Sequence, residues 1–434
     1  MPHALMDLRK RHLCALTGGQ VAVCSAHPQV LMAAADRARK DGALLLVETT
    51  ANQVNLSGGY TGMTPADFAA YMMRLAQERD LGPWQMVIGA DHLGPHIWRQ
   101  LPSAEAMARA RSLAQACAAA GFRKFHLDTA TGCADDPSGH LPPTVAAQRA
   151  AALCQAIETS ASTKPGQQPV YTIGTDVPAP GGSLEAGGRV VVTDPRHLSD
   201  ELELYEKAFR QAGMEQAWQR VLAIVVQPGV DFDDFHAAPY ASEAALSLSL
   251  MHERLPGIMT FEIHSADYQS PVALRHMIRD HFFLLKIGPC LTFALREALF
   301  ALAHIEDALP GLDETSNLIR VMEQLMQAHP THWRSHYAGA VHNLQYLRKY
   351  SLRDRIRYYW SQDEARRACQ RLMHNLQRPI PQALIRQFLP DLSEAVTAGA
   401  LTPTPQAIIQ ARIQAALTPY TDACRSPAKS QHGS

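Results

Sequence analysis

Eight short apolar segments, each closed by polar or Gly/Pro residues, recur along the chain up to residue 290. Longer Ala-rich segments with helical spacing separate them. Several of the apolar segments have a continuous apolar core instead of an alternating one, which is typical of parallel strands buried on both faces. The eight candidate strands are 20–28, 43–52, 85–95, 124–132, 169–178, 220–229, 257–267 and 282–290.

The alternation of strands and helices predicts an α/β fold. Eight strands, each followed by a helix or a helix-sized insert, indicate a (β/α)8 TIM barrel. An open, doubly wound sheet is the alternative, because it also alternates strands and helices. The count of eight, and the lack of a Gly-rich dinucleotide motif after the first strand, favour the barrel. The clearest helical segments are 64–80, 103–121, 145–160 and 241–255.

The pattern changes near residue 297, after which the apolar residues follow only helical spacing. We therefore expect three parts: a barrel over 1–305, a helical C-terminal extension packed on the barrel over 306–420, and a polar, disordered tail over 421–434.

Composition excludes several classes of protein. The 434 residues contain 40 Lys and Arg against 41 Asp and Glu, and a formal net charge of −1 argues against a nucleic-acid-binding protein. No apolar run approaches the roughly 18 residues of a membrane-spanning helix. The N-terminal segment does not resemble a signal peptide, and the eight scattered cysteines contain no CxxC motif. We expect a cytoplasmic protein without disulfide bonds.

The active sites of such barrels lie at the C-terminal ends of the strands, and here those ends are rich in histidine and carboxylate. His92, His264 and Asp176 are candidate ligands of a divalent metal ion. The alternative for each histidine is a partly buried imidazole with satisfied hydrogen bonds.

Other carboxylates at the strand ends are candidate acids and bases. Asp91 directly precedes His92 and is suited to general acid/base chemistry, or is a turn-forming residue. Glu48 is a second acid/base candidate, or an ion-pair partner of Lys286 inside the barrel. His126 and Asp128 share one face of a strand, as do Glu262 and His264. One member of each pair is therefore a candidate for orienting a ligand.

The segment 286–292, KIGPCLT, leads into a helix whose N-terminus favours a phosphate group, with Ser265 as a further donor. An ordinary capped helix is the alternative.

Two Gly-rich loops, 55–65 and 177–183, either close over a substrate or are simple turns. The basic, aromatic segment 354–360 is expected to pack the extension onto the barrel or to contact another subunit. The residues expected to bind substrate are Asn52, His126, Gln227, Ser265, Asp267, Lys286, Gly288 and Thr292.

Motifs at these strand ends resemble the non-catalytic, Z-type subunit family of class II D-tagatose-1,6-bisphosphate aldolase, from about residue 10 to about residue 420. The resemblance implies a TIM barrel similar to the metal-dependent class II aldolases. Some members resemble an accessory subunit of a separate aldolase chain, whereas others are 4-epimerases that interconvert tagatose and fructose or their 6-phosphates. The motifs are CSAHP (24–28), ETTANQVN (48–55), GADHLGP (89–95), IGTDVPAPGG (173–182), HSADYQ (264–269) and KIGPCLTFALREALFALA (286–303).

The class II aldolase pattern also suggests roles for individual residues. Asp91 and His92 match its Asp-His pair on strand three, and His264 matches its ligand on strand seven. Asp176 stands where the aldolases have His and where Z-type subunits more usually have Glu. Lys286 or Gly288 replaces the region of an Asn on strand eight, and this puts ordinary aldolase turnover in doubt.

We therefore expect a metal-dependent 4-epimerase of a ketohexose or its 6-phosphate that works by retro-aldol cleavage. Asp91 or Asp128 would take the C4 hydroxyl proton, with Glu48 as the third catalytic candidate. Zn²⁺ is the expected cofactor, with Mn²⁺, Ni²⁺ or Co²⁺ as alternatives. A homo-oligomer is expected. The alternative is an accessory partner of a class II aldolase catalytic subunit.

Overall fold

The computed structural model describes residues 3–14, 18–137, 141–175, 182, 190–257, 259–312 and 314–425. Eight parallel strands form a closed barrel in which each strand pairs with the next and the eighth pairs with the first. The predicted (β/α)8 barrel is confirmed, and the open-sheet alternative is excluded. The strands are β1 Gln20–Val23, β2 Leu45–Thr50, β3 Met86–Leu93, β4 Lys124–Leu127, β5 Val170–Ile173, β6 Val221–Val226, β7 Thr260–Ile263 and β8 Phe282–Ile287.

Helices surround the barrel and form the C-terminal extension. They are α1 Ala4–Leu13, α2 Pro28–Asp41, α3 Pro65–Glu78, α4 Ser103–Ala119, α5 Pro143–Ser160, α6 Pro195–Gln211, α7 Glu215–Trp218, α8 Ser242–Ser249, α9 Pro271–Arg279, α10 Pro289–Ala308, α11 Leu318–Ala328, α12 Val341–Tyr350, α13 Asp363–Asn375, α14 Gln382–Phe388, α15 Ser393–Thr397 and α16 Pro405–Arg425. None of the described helices has the length and apolar character needed to cross a membrane.

Three boundaries differ from those predicted. The segment predicted as one helix over 241–255 is α8 followed by a 3-10 helix over Leu250–Arg254. The last barrel helix, α10, continues to Ala308, past the expected boundary at 305. The last helix, α16, continues to Arg425, so the first residues of the predicted tail are helical. The rest of that tail, 426–434, lies outside the described residues.

The helix α1 closes the N-terminal end of the barrel. Leu5 is fully buried among apolar side chains from the barrel strands. The buried Arg9 donates from Nη1 to the carbonyl oxygen of Val221 at 3.2 Å. Since this end is plugged, access to the barrel interior is from the C-terminal ends of the strands.

A layer of buried charges crosses the barrel interior between the apolar plug and those strand ends. Lys124 Nζ lies 2.9 Å from Glu48 Oε1 and 2.6 Å from Glu262 Oε2. Lys286 Nζ lies 3.2 Å from Glu48 Oε2 and 3.0 Å from Glu262 Oε1. Gly89 adjoins this layer, and a Cβ atom there would lie only 2.9 Å from Glu48 Cγ. The glycine therefore leaves the space that the glutamate side chain occupies.

Lys124→Met should lower the free energy of unfolding by about 3–5 kcal/mol, because it leaves two buried carboxylates without one of their cations. Urea denaturation monitored by circular dichroism measures this change. Lys164→Met, at an exposed position, should change stability by less than about 0.5 kcal/mol. Equal effects of the two substitutions would show that the buried layer does not depend on Lys124.

Candidate metal centre and cavity

Three imidazole rings meet at the C-terminal ends of three strands. His92 lies near the end of β3, His126 lies in β4, and His264 directly follows β7. Their ring centroids lie 4.9–5.2 Å apart. One ligand atom from each ring and one from Asp91 all lie within 4.8 Å of one another. This grouping has the size and composition of a metal site.

A carboxylate holds one nitrogen of each imidazole. The three contacts are His92 Nδ1 to Asp128 Oδ2 at 2.8 Å, His126 Nδ1 to Asp91 Oδ1 at 2.9 Å, and His264 Nε2 to Glu262 Oε1 at 2.9 Å. Such contacts fix the orientation of metal-ligating histidines and direct the second ring nitrogen to the ion. One member of each pair, 126/128 and 262/264, was expected to orient a ligand. Glu262 contacts His264 of its own pair, whereas Asp128 contacts His92 of the neighbouring strand.

The second ring nitrogen of His126 tests whether a cation fits here. His126 Nε2 is buried and has no hydrogen-bond partner among the described residues. This atom is therefore available to a cation that the other two rings and Asp91 would share. Burial lowers the pKa of His264 to about 3 and also lowers the pKa of His126. Both rings are thus neutral, the form that binds a metal. Burial lowers the pKa of His92 too, but Asp91 and Asp128 outweigh burial and raise it, so this ring would release a proton when it binds a metal. The donor set fits a divalent cation.

A backbone irregularity brings neighbouring residues of β3 to the same site. Adjacent strand residues normally face opposite sides of a sheet. Here the register of β3 against β4 shifts between Ala90 and Leu93, and His92 has a φ of 46°, in the left-handed region. His92 N donates to Asp91 Oδ1 at 2.8 Å. The bulge therefore lets both side chains reach the cavity.

The two carboxylate oxygens of Asp91 differ in their hydrogen bonding. Its Oδ1 accepts from His126, from the backbone of His92 and from Lys286. Its Oδ2 has no hydrogen bond to the described residues, and its nearest ion-pair contact is His92 Nε2 at 3.8 Å. Burial raises the pKa of Asp91, but the charges of His92 and Lys286 outweigh burial and hold it well below its usual range. Asp91 is therefore an ionised carboxylate.

The predicted site residues divide between the cavity and its surroundings. Asn52, Ser265, Asp267, Lys286 and Gly288 line the cavity with Asp91, His92 and His264. Gln227 instead accepts from the backbone of Gly229 and Val230, and Thr292 donates to Asp354. Glu48 lies in the buried charge layer with Lys286, the alternative that the sequence had left open. Asp176 and most of the loop 177–183 lie outside the described residues.

The helix N-terminus predicted to bind phosphate is occupied by a side chain of the protein. Asp267 Oδ1 accepts from Gly288 N at 3.1 Å and from Cys290 N at 2.8 Å. The intervening Pro289 has no N–H, and the next two N–H groups bond to the carbonyl of Gly288. Of the two alternatives, an anion site and an ordinary capped helix, these contacts agree with the capped helix, because Asp267 accepts the N–H groups at this helix end.

Two residues of the extension, Arg357 and Tyr358, also line the cavity and were not among the predicted site residues. They belong to the basic, aromatic segment 354–360, which was expected only to pack or to contact a subunit. Tyr358 contacts Tyr60 of the loop after β2, with ring centroids 4.8 Å apart. Only the tertiary structure shows that this segment reaches the barrel opening.

Comparisons with known proteins agree with this architecture. The family model described as D-tagatose-1,6-bisphosphate aldolase subunit GatZ/KbaZ-like matches residues 5–425. A crystal structure of a probable tagatose 6 phosphate kinase from Sinorhizobium meliloti 1021 is 40% identical, covers 94% of this chain and 100% of that chain, and has a TM-score of 0.85.

Two solved aldolases are much more distant. The YdjI aldolase from Escherichia coli K12 is 11% identical over 83% of this chain and 97% of that chain, with a TM-score of 0.41. Fructose-bisphosphate aldolase from Campylobacter jejuni is 10% identical over 90% and 92% of the two chains, also with a TM-score of 0.41. Likenesses this low have no bearing on function. The match of the family model over nearly the whole length is decisive: this chain belongs to the GatZ/KbaZ-like family of D-tagatose-1,6-bisphosphate aldolase subunits.

Proposed function

We propose that this protein is a metal-dependent 4-epimerase of a ketohexose or its 6-phosphate. The observation that supports this most is the set of three imidazoles, each held by a carboxylate, beside a cavity that contains Asp91. A protein that only stabilises a partner has no need of three imidazoles oriented by carboxylates beside a cavity. The arrangement is therefore better explained as a working site.

His92, His126 and His264 are the residues that would hold the cation, with Zn²⁺ favoured by three nitrogen ligands. A bound divalent cation supplies electrostatic stabilisation for the negative charge that develops on the C2 and C3 oxygens of the sugar when the C3–C4 bond breaks. Asp176 remains a further predicted ligand.

Asp91 is the group that exchanges the proton. Its open Oδ2 accepts the C4 hydroxyl proton, the electron pair of the C3–C4 bond stays with the C1–C3 fragment, and C4 becomes an aldehyde. After the aldehyde turns its other face to that fragment, the bond forms again and Asp91 returns the proton to the C4 oxygen. Lys286 keeps Asp91 ionised for the first step. Asp128 is less suited to this role, because it holds the far side of the His92 ring.

Both fragments must stay bound until they recombine, which requires a cavity with few exits. The barrel is plugged below by α1, and Arg357 and Tyr358 of the extension form part of the wall above. Ser361 Oγ also donates to the carbonyl of Tyr60 at 2.6 Å and holds the extension on the loop after β2.

An accessory role is the second candidate. The family is described as an aldolase subunit, and this favours a chain that supports a separate catalytic aldolase. The contact between Lys286 and Asp91 also favours the accessory role, because a carboxylate that is strongly paired with a cation is a weak base and is less able to take a proton from a substrate.

Turnover by the purified chain separates the two candidates. The chain alone is incubated with fructose 6-phosphate or fructose and with Mn²⁺, Zn²⁺ or Ni²⁺, and the sugars are resolved chromatographically. We expect the tagatose epimer to appear only with metal and without release of triose phosphate. No epimer under any of the metals would contradict the proposal and favour the accessory role.

His264→Ala should lower the affinity for Zn²⁺ by more than about 100-fold, because it removes a ligand. Asp128→Ala should lower it by about 10–100-fold, because it removes only the hydrogen bond that orients His92. Competition with a chromophoric chelator measures both affinities. His236→Ala, at a highly exposed position, is the matched control and should bind Zn²⁺ like the unmodified protein. Unchanged affinity in His264→Ala would exclude this metal site.

Asp91→Asn should lower kcat for epimerisation by about 10²–10⁴-fold, because the amide has the shape of the carboxylate but cannot accept the proton. The epimerisation assay with a fixed excess of metal measures this loss. Asp363→Asn on the exposed surface of α13 should leave kcat unchanged. Turnover by Asp91→Asn at the original rate would assign the proton transfer to another group.

A further inference from the structure

The extension supplies part of the cavity wall through one segment, residues 351–361. This segment is attached to several loops at the C-terminal ends of the strands. The attachments are Ser351 Oγ to Asp234 Oδ1 at 2.6 Å, Tyr268 Oη to the Leu352 carbonyl at 2.6 Å, Thr292 Oγ1 to Asp354 Oδ2 at 2.7 Å and Ser361 Oγ to the Tyr60 carbonyl at 2.6 Å. The position of Arg357 is therefore fixed relative to the metal centre.

Arg357 is held in place by carbonyl oxygens and by Tyr358, with no counterion among the described residues. Its Nη1 donates to the carbonyl oxygens of Arg353 at 2.5 Å and Asp354 at 3.0 Å, and its Nη2 donates to Tyr358 Oη at 3.3 Å. Its guanidinium also lies 4.7 Å from the centre of the Tyr358 ring. No carboxylate among the described residues forms an ion pair with it. Two of the five guanidinium N–H donors have no partner in the described part of the chain.

The other cation of the cavity has a different environment. Lys286 forms ion pairs with Asp91, Glu48 and Glu262, so its charge is already compensated. The N-terminus of α10 is likewise occupied by Asp267. Among the described groups that line the cavity, Arg357 is thus the one cation available to an incoming anion. Its free N–H donors suit a bidentate contact with a phosphate or a carboxylate.

We infer that Arg357 binds a terminal anionic group of the sugar, and that the C-terminal extension thereby sets the preference for charged over neutral substrates. This inference rests on the proposed ketohexose epimerase, because it names the substrate class of the same cavity. Phosphate and carboxylate share the chemistry that Arg357 recognises, so the experiment includes one sugar of each kind.

The experiment compares the full-length protein with Arg357→Gln and Arg357→Lys, each loaded with the same metal. The substrates are fructose 6-phosphate, fructuronate and fructose. Arg357→Gln should raise KM at least about tenfold for the preferred anionic sugar and leave KM for fructose within about twofold. The KM of Arg357→Lys for the anionic sugar should lie between those of the unmodified protein and Arg357→Gln, because lysine keeps the charge but lacks the planar pair of N–H donors. Arg366→Gln, an exposed substitution on α13, should leave KM unchanged for both the anionic sugar and fructose.

A binding measurement separates failure of this inference from failure of the epimerase proposal. Calorimetric titration of the metal-loaded protein with fructose 6-phosphate, fructuronate and fructose needs no turnover. Tighter binding of an anionic sugar that is lost in Arg357→Gln supports the role of Arg357 even if no epimer forms. Two results would overturn the role of Arg357. One is equal affinity of the unmodified protein for charged and neutral sugars. The other is a loss of affinity in Arg357→Gln and Arg357→Lys that is the same for charged and neutral sugars.

Discussion

The buried charge layer formed by Lys124, Lys286, Glu48 and Glu262 determines how the rest of the cavity is arranged. Transfer of each ion from water into the barrel costs several kcal/mol, so every charge must find a partner at close range. Here each lysine contacts both glutamates. The layer extends upward at two points, since Glu262 holds the His264 ring and Lys286 contacts Asp91. The orientation of the His264 ring and of Asp91 therefore depends on the buried charge layer.

The sequence predicts the barrel because its strands are buried on both faces and read as continuous apolar runs. It also predicts much of the site, because polar residues such as His92 and His264 stand where those runs end. The sequence does not predict which third histidine lies beside His92 and His264. His126 was expected to bind substrate, and its place among the three imidazoles depends on the register of β3 against β4. A shift of register leaves no signal in a single strand, so the pairing of Asp128 with His92 could not be foreseen.

The N-terminus of α10 illustrates a second limit. A Gly-Pro turn before a helix indicates an anion site, but not which anion occupies it. Asp267 lies more than twenty residues earlier and reaches the turn only because the loop after β7 folds towards β8. The segment 351–361 is a stronger case, since it lies far from every strand in sequence. Its attachment to the barrel opening depends on contacts with three separate loops and with the first turn of α10.

Asp267 at the N-terminus of α10 and the segment 351–361 together show that the barrel and the extension contribute different groups to the cavity. The barrel provides the imidazoles and Asp91, the groups to which we assign cleavage of the C3–C4 bond in the proposed function. The lysines of the barrel interior are compensated by its own carboxylates, so the side chains of the barrel alone offer an anionic sugar little attraction. Arg357 belongs to the extension and has no such partner among the described residues. If the proposed function holds, substitutions in the extension alter the choice of substrate while the imidazoles and Asp91 stay in place.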